Sequence, residues 1–166
     1  MHTSWGLTFD AEDPARLAAF WADALGYVQA EPPDGFETWN AWLKHTGVPK
    51  KEWNDAAYLE DPAGQGPTLS FLKVAETKSV KNRVHPDLKV GGGRHQSPKK
   101  RRSRIDKAVE RLTAAGAQVQ QEIEQDGNIV CVVALVLMRV VGGRDTSARW
   151  RLIAGERTPS TLEFCT

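Results

Sequence analysis

The chain has 166 residues, 40% of them hydrophobic and 26% charged, enough for one globular domain with its own core. Its two cysteines, Cys131 and Cys165, lack C-x-x-C spacing and are too few for a disulfide framework. A formal net charge of +1 exerts no overall pull towards nucleic acid or an anionic membrane. The N-terminus has no basic-then-apolar leader pattern, and with the sparse cysteines this leads us to expect a reducing, cytoplasmic setting. The most apolar stretch, 129–141, contains Arg139 and is too short to span a bilayer.

In chain order, Trp5–Phe9 is a short β-rich run. Asp13 then offers an N-cap oxygen and Pro14 suits the first helical position. Leu17, Phe20, Trp21, Ala24 and Leu25 repeat at the spacing of one apolar helix face, and Gly26 closes the helix as a left-handed cap. Strand-like Tyr27–Ala30 follows, and then a long loop in which Glu37–Gly47 reads as a short helix. Ala56–Leu59 and Thr68–Val74 are β-rich runs on either side of Asp61-Pro62-Ala63-Gly64, a hairpin turn by composition.

A second half repeats this order. Val84–Val90 alternates like a strand, Ser97-Pro98 is another cap pair, and Ile105, Ala108, Val109 and Leu112 form an apolar helix face that ends at Gly116. Ala117–Ile123 and Asn128–Leu137 supply further strands. We therefore expect an α+β fold of two βαβββ modules. The boundaries are about 3–76 and 80–166 within a single domain of 1–166. Residues 140–161 break the pattern. They are basic and lack the short acidic turn of the first half, and Arg149–Ala154 reads as an extra or replacement strand.

The segments GLTFDAEDPARLAAFWADALGY, GFETWNAWLKHTGVPKKEWNDAAYLEDPAGQGPTLSFLKVAETKSVKNRVHPDLKV and RIDKAVERLTAAGAQV resemble the glyoxalase-like domain of the vicinal-oxygen-chelate superfamily, which includes bleomycin-resistance proteins and extradiol dioxygenases. The resemblance implies paired modules whose curled mixed sheets enclose a cleft, a small-molecule ligand held in it, and a homodimer. It also implies a divalent metal on the first and last strands of each module. In this sequence those positions fall near Ser4 and Leu72 in the first module, and on His85 with Glu163 or Cys165 in the second. A catalytic ion needs three or more protein ligands, so we expect no cofactor, with a metal on His85 and Glu163 as the alternative.

The residues expected at the ligand are His85, as hydrogen-bonding group or acid–base catalyst, with Asn82, Arg83, Trp39, Trp53, Phe71 and Cys165 around it. Strand alternation leaves Phe71 facing either the cleft or the helix layer, whereas Trp21 and Trp42 read as packing residues. The run Lys99–Arg104 reads as a solvated helix start, although cations there oppose the helix dipole, and we do not expect nucleic acid as a partner. The function expected is binding of a small organic ligand, by resistance-type sequestration or as a metal-independent enzyme relative. The alternative is a metal-dependent lyase or dioxygenase using His85; a nucleic-acid adaptor acting through Lys99–Arg104 is a third reading.

Overall fold

The computed structural model describes residues 4–76, 86–93, 95–125, 128–138 and 146–153. The expected site residues Asn82, Arg83, His85, Glu163 and Cys165, and the LEFCT closing segment, lie outside these residues. The described chain forms two units, one built on the segment up to 76 and the other on 86–137 with 147–153.

The first unit runs β1 (Gly6–Ala11), α1 (Pro14–Leu25), β2 (Val28–Gln29), α2 (Trp39–His45), a 3₁₀ turn (Lys50–Glu52), β3 (Ala56–Glu60) and β4 (Thr68–Lys73). Its sheet has the order β1-β4-β3-β2, with β4 parallel to β1 and antiparallel to β3. Helix α1 starts where the sequence places it. The Asp13 carboxylate accepts the Arg16 N–H at 3.2 Å, Pro14 takes the first turn, and Gly26 ends the helix at φ 74°. A second residue, distant in sequence, completes the cap. Asn54 accepts the Ala15 N–H at 2.9 Å and donates to Asp13 Oδ1 at 2.9 Å, tying the turn before β3 to the start of α1.

The core of this unit lies between α1 and one face of the sheet. Leu7 pairs with Leu69 and Phe9 with Phe71 across β1 and β4, and Ala57 and Leu59 continue the row on β3. Phe9 stacks on Phe71 (centroids 5.3 Å apart) and on Trp21 of α1 (5.8 Å), while Phe20 meets Trp21 edge-on at 5.6 Å. Phe71 and Trp21 are 0% and 1% exposed. Leu25, expected in the buried stripe, is 38% exposed because it lies in the last turn before the Gly26 cap and reaches past the row of core contacts.

The second unit runs β5 (Asp87–Leu88), α3 (Pro98–Ala114), β6 (Ala117–Gln125), β7 (Asn128–Met138) and β8 (Thr146–Ile153). Its sheet has the order β5-β8-β7-β6, with β8 parallel to β5 and β6 antiparallel to β7. β8 thus takes beside β5 the place that β4 takes beside β1, so the patternless basic segment supplies a strand that covers residues 149–153 of the expected run. Ser97 caps α3 through the Lys100 N–H, and Ile105, Ala108 and Leu112 are buried, as their spacing predicts. Leu88, Ala117, Val132 and Ala134 complete this core among the described residues. No helix among the described residues is long and apolar enough to cross a membrane.

Truncating a fully enclosed ring leaves a cavity, so Phe71→Ala is expected to lower unfolding stability by about 3–5 kcal/mol in urea titration. Asn54→Ala, which removes two links of the cap, is expected to cost about 0.5–2 kcal/mol in the same assay.

Candidate functional site on the open face of the first sheet

Side chains alternate along a strand, so the register that turns Leu7, Phe9, Leu69 and Phe71 towards α1 turns Thr8, Asp10, Ser70 and Leu72 to the opposite face. Thr8 pairs with Ser70 and Asp10 with Leu72, and on β3 the same face carries Ala56 and Tyr58, paired with Leu72 and Ser70. This face is incompletely covered: Leu72 is 38% exposed, Thr8 and Asp10 are exposed, and Ser70 and Tyr58 are half-buried.

Helix α2 stands beside this face. Thr38 caps it by accepting the Ala41 N–H at 3.1 Å, and Thr46 closes it by donating its hydroxyl to the Trp42 carbonyl at 2.9 Å. The helix spans 39–45 and stops before Gly47, whose φ of 76° takes the chain out of helical geometry. Trp39, its first residue, stacks on Tyr58 with centroids 5.1 Å apart and planes at 22°, and meets Trp42 edge-on at 5.7 Å. The Trp39 indole N–H donates to the Ala30 carbonyl at 2.7 Å, and the Ala30 N–H donates to the Tyr58 carbonyl at 3.0 Å. Ring and backbone contacts therefore close a circuit that holds the Trp39–Tyr58 pair rigidly against β3. Phe36 lies 5.1 Å from His45 and extends this group of rings along the loop and α2.

The expected residues separate on this scaffold. Trp39 belongs to the open-face wall. Trp53 is half-buried and donates its N–H to the Val48 carbonyl at 3.0 Å, which fixes the loop entering β3. Phe71 lies in the helix-side core and not at a ligand surface, because its register with Phe9, whose ring stacks on Trp21, turns it towards α1 and it is fully buried. Tyr58, Ser70, Thr8 and Asp10 escaped the sequence reading. The alternation about the Asp61 turn carries the relevant signal, since Leu69 and Phe71 are the bulkier alternate residues of β4 and their neighbours must face away.

The turn that joins β3 to β4 is held by one carboxylate. Asp61 accepts the Ala63 N–H at 2.9 Å and the Gln65 and Gly66 N–H groups at 2.9 and 2.8 Å. These bonds, led by those from Ala63 and Gly66, hold its carboxyl below the usual carboxylate range. Burial first, and then the Asp61 charge, push the Tyr27 hydroxyl upwards. Tyr27 lies against Gly66, where an added Cβ would collide with its hydroxyl.

As a donor set, the described residues do not fit the divalent ion that the vicinal-oxygen-chelate fold implies. Asp10 has Leu72 as its neighbour across the strands, and no three His, Cys, Asp or Glu side chains among the described residues are placed to hold a metal. What this face offers is ring surface, the Thr8 and Ser70 hydroxyls and the Asp10 carboxylate, a set suited to stacking and hydrogen bonding with an organic ligand.

The chain belongs to the glyoxalase-like domain family, whose sequence profile matches residues 6–137. No curated protein matches it. Among solved structures, the fosfomycin resistance protein FosX of Mesorhizobium loti is similar with a TM-score of 0.53 and 11% identity, over 94% of each chain. A mutant of FosX from Listeria monocytogenes, complexed with Mn(II) and 1S,2S-dihydroxypropylphosphonic acid, has a TM-score of 0.52 at 11% identity, over 94% of this chain and 92% of its own. A Bacillus cereus protein described as a possible glyoxalase has a TM-score of 0.50 at 13% identity, over 92% of this chain and 99% of its own. At these identities the likeness is one of fold.

Because the folded state holds the Asp61 carboxyl below its unfolded value, its contribution to stability is complete above about pH 4 and is lost as pH falls through the folded value. In thermal melts below about pH 4, the wild type is expected to lose melting temperature more steeply than Asp61→Asn. Near neutral pH, Asp61→Asn is expected to melt lower than the wild type.

Proposed function

We propose that this protein binds a small organic ligand against the open face of the first sheet, as a sequestering, resistance-type protein or a metal-independent enzyme relative. The observation that carries this reading is the Trp39–Tyr58 stack, held by the Ala30 circuit beside the Thr8, Ser70, Asp10 and Leu72 face. A rigid pair of rings on an open sheet supplies contact area at little entropic cost, and the hydroxyls beside it supply direction. The homodimer implied by the family resemblance and the cytoplasmic setting expected from the sparse cysteines belong to the same proposal. So does a role at the ligand for His85 with Asn82, Arg83 and Cys165.

The test is a thermal-shift screen of aromatic, glycopeptide, aldehyde-adduct and phosphonate compounds, the last because FosX proteins share the fold. A compound that raises the melting temperature of the wild type is expected to lose at least about tenfold in affinity on Trp39→Leu, equivalent to about 1.4 kcal/mol. Ser70→Ala, which leaves the stack in place, is expected to lose a smaller factor. Binding that survives both substitutions unchanged would place the ligand elsewhere. Metal analysis of the purified protein addresses the enzyme alternative: stoichiometric zinc, iron, nickel or manganese that disappears on His85→Ala would replace this reading with a metal-dependent lyase or dioxygenase.

A further inference from the structure

Helix α3 carries seven Lys or Arg residues against two carboxylates over 98–114, and the structure sorts them by flank. On one flank Arg102 donates to Asp106 at 2.7 Å and reaches Glu122 and Glu124 of β6, each at 3.6 Å. The bond to Asp106 is the main reason the guanidinium is held charged even more firmly than usual. The β6 carboxylates are thus engaged by Arg102. On the other flank Lys100, Arg104 and Lys107 follow at i, i+4 and i+7, all exposed and in no ion pair among the described residues. Gly92 makes room for this row, since a Cβ there would collide with the Arg104 guanidinium.

Like charges at this spacing destabilise a helix, and Lys99 and Lys100 also oppose its dipole. The imbalance extends beyond the helix. Residues 77–166 hold 17 Lys and Arg against 9 Asp and Glu, whereas residues 1–76 hold 5 against 12. The net charge of +1 is the difference between two strongly and oppositely charged halves, so it says nothing about a local partner.

We infer that the Lys100–Arg104–Lys107 flank of α3 docks the phosphodiester backbone of a nucleic acid. At the helical rise the three positions span about 10 Å, the axial advance of about three phosphates along one strand. The apolar face of the helix is used up in the core by Ile105, Ala108 and Leu112, so α3 has none to insert into a lipid surface. The contacts are to backbone charge and carry no base sequence.

The test is fluorescence anisotropy of the full chain with a labelled duplex DNA and a labelled single-stranded RNA of about 20 nucleotides, from about 20 to 200 mM NaCl. Binding is expected to weaken with a log–log salt slope of about −3, roughly fiftyfold between 50 and 200 mM. Lys100→Gln, Arg104→Gln and Lys107→Gln combined are expected to flatten that slope and to remove at least about tenfold in affinity at low salt, with a melting temperature no lower than that of the wild type. Preference for duplex or single strand distinguishes the two sources of the same phosphate chemistry. No binding at low salt would overturn the inference, as would a triple variant that folds and binds like the wild type. Equal competition by poly-glutamate at matched charge, or triple-variant-sensitive binding to phosphatidylserine vesicles without binding to either nucleic acid, would also overturn it.

Discussion

Phe9 and Phe71 meet face to face across the parallel β1–β4 pair, and Trp21 closes over Phe9 from α1. This contact sets the register of the first sheet. Slipping β4 by one residue would bring Ser70 or Leu72 under the helix and turn Phe71 out to solvent, exchanging every side chain between the two faces. Complete burial of Phe71 and Trp21 makes such a slip costly, because each ring accounts for several kcal/mol of apolar contact. The proposed ligand face is the consequence: Thr8, Asp10, Ser70, Leu72 and Tyr58 are available because their neighbours are consumed in the core.

Two lesser constraints act on the frame set by this stack. Asn54 links the α1 cap to the turn before β3, so the start of the helix and the strand that bears Tyr58 are positioned together. The Asp61 carboxylate gathers three N–H groups and holds the β3–β4 turn, which delivers Ser70 opposite Tyr58. Neither touches the proposed site, yet both fix the spacing of its floor. A small loss at either position should therefore loosen the site before it unfolds the domain.

Local features were the most legible in the sequence. Asp13, Pro14 and Gly26 mark the ends of α1, and Ser97 with Pro98 marks the start of α3, because capping is short-range chemistry that few residue types perform. The buried rows Leu17–Phe20–Trp21 and Ile105–Ala108–Leu112 follow from helical period alone. Long-range pairing was not legible. Nothing local indicates that Asn54 reaches Asp13, that Arg102 engages two carboxylates of β6, or that a strand within 146–153 runs beside β5. The same gap explains Phe71. Alternation identifies a residue's companions on a face, but only the pairing with β1 shows which face meets the helix. The aromatic richness of 36–58 was visible, whereas its division into Trp39 at the wall and Trp53 in the loop depends on the Ala30 and Val48 carbonyls.

Both faces of the first sheet depend on that single register, and paired thiol accessibility tests it directly. Leu72→Cys and Leu69→Cys are each compared with the parent chain in their rate of reaction with a water-soluble disulfide reagent under native conditions. Leu72 is 38% exposed and Leu69 3%, so the register predicts rapid modification at 72 and, at 69, modification only as fast as the protein opens. Fast reaction at 69 with protection at 72 would mean that the opposite face meets the helix. The ligand surface described for this protein would then be its core.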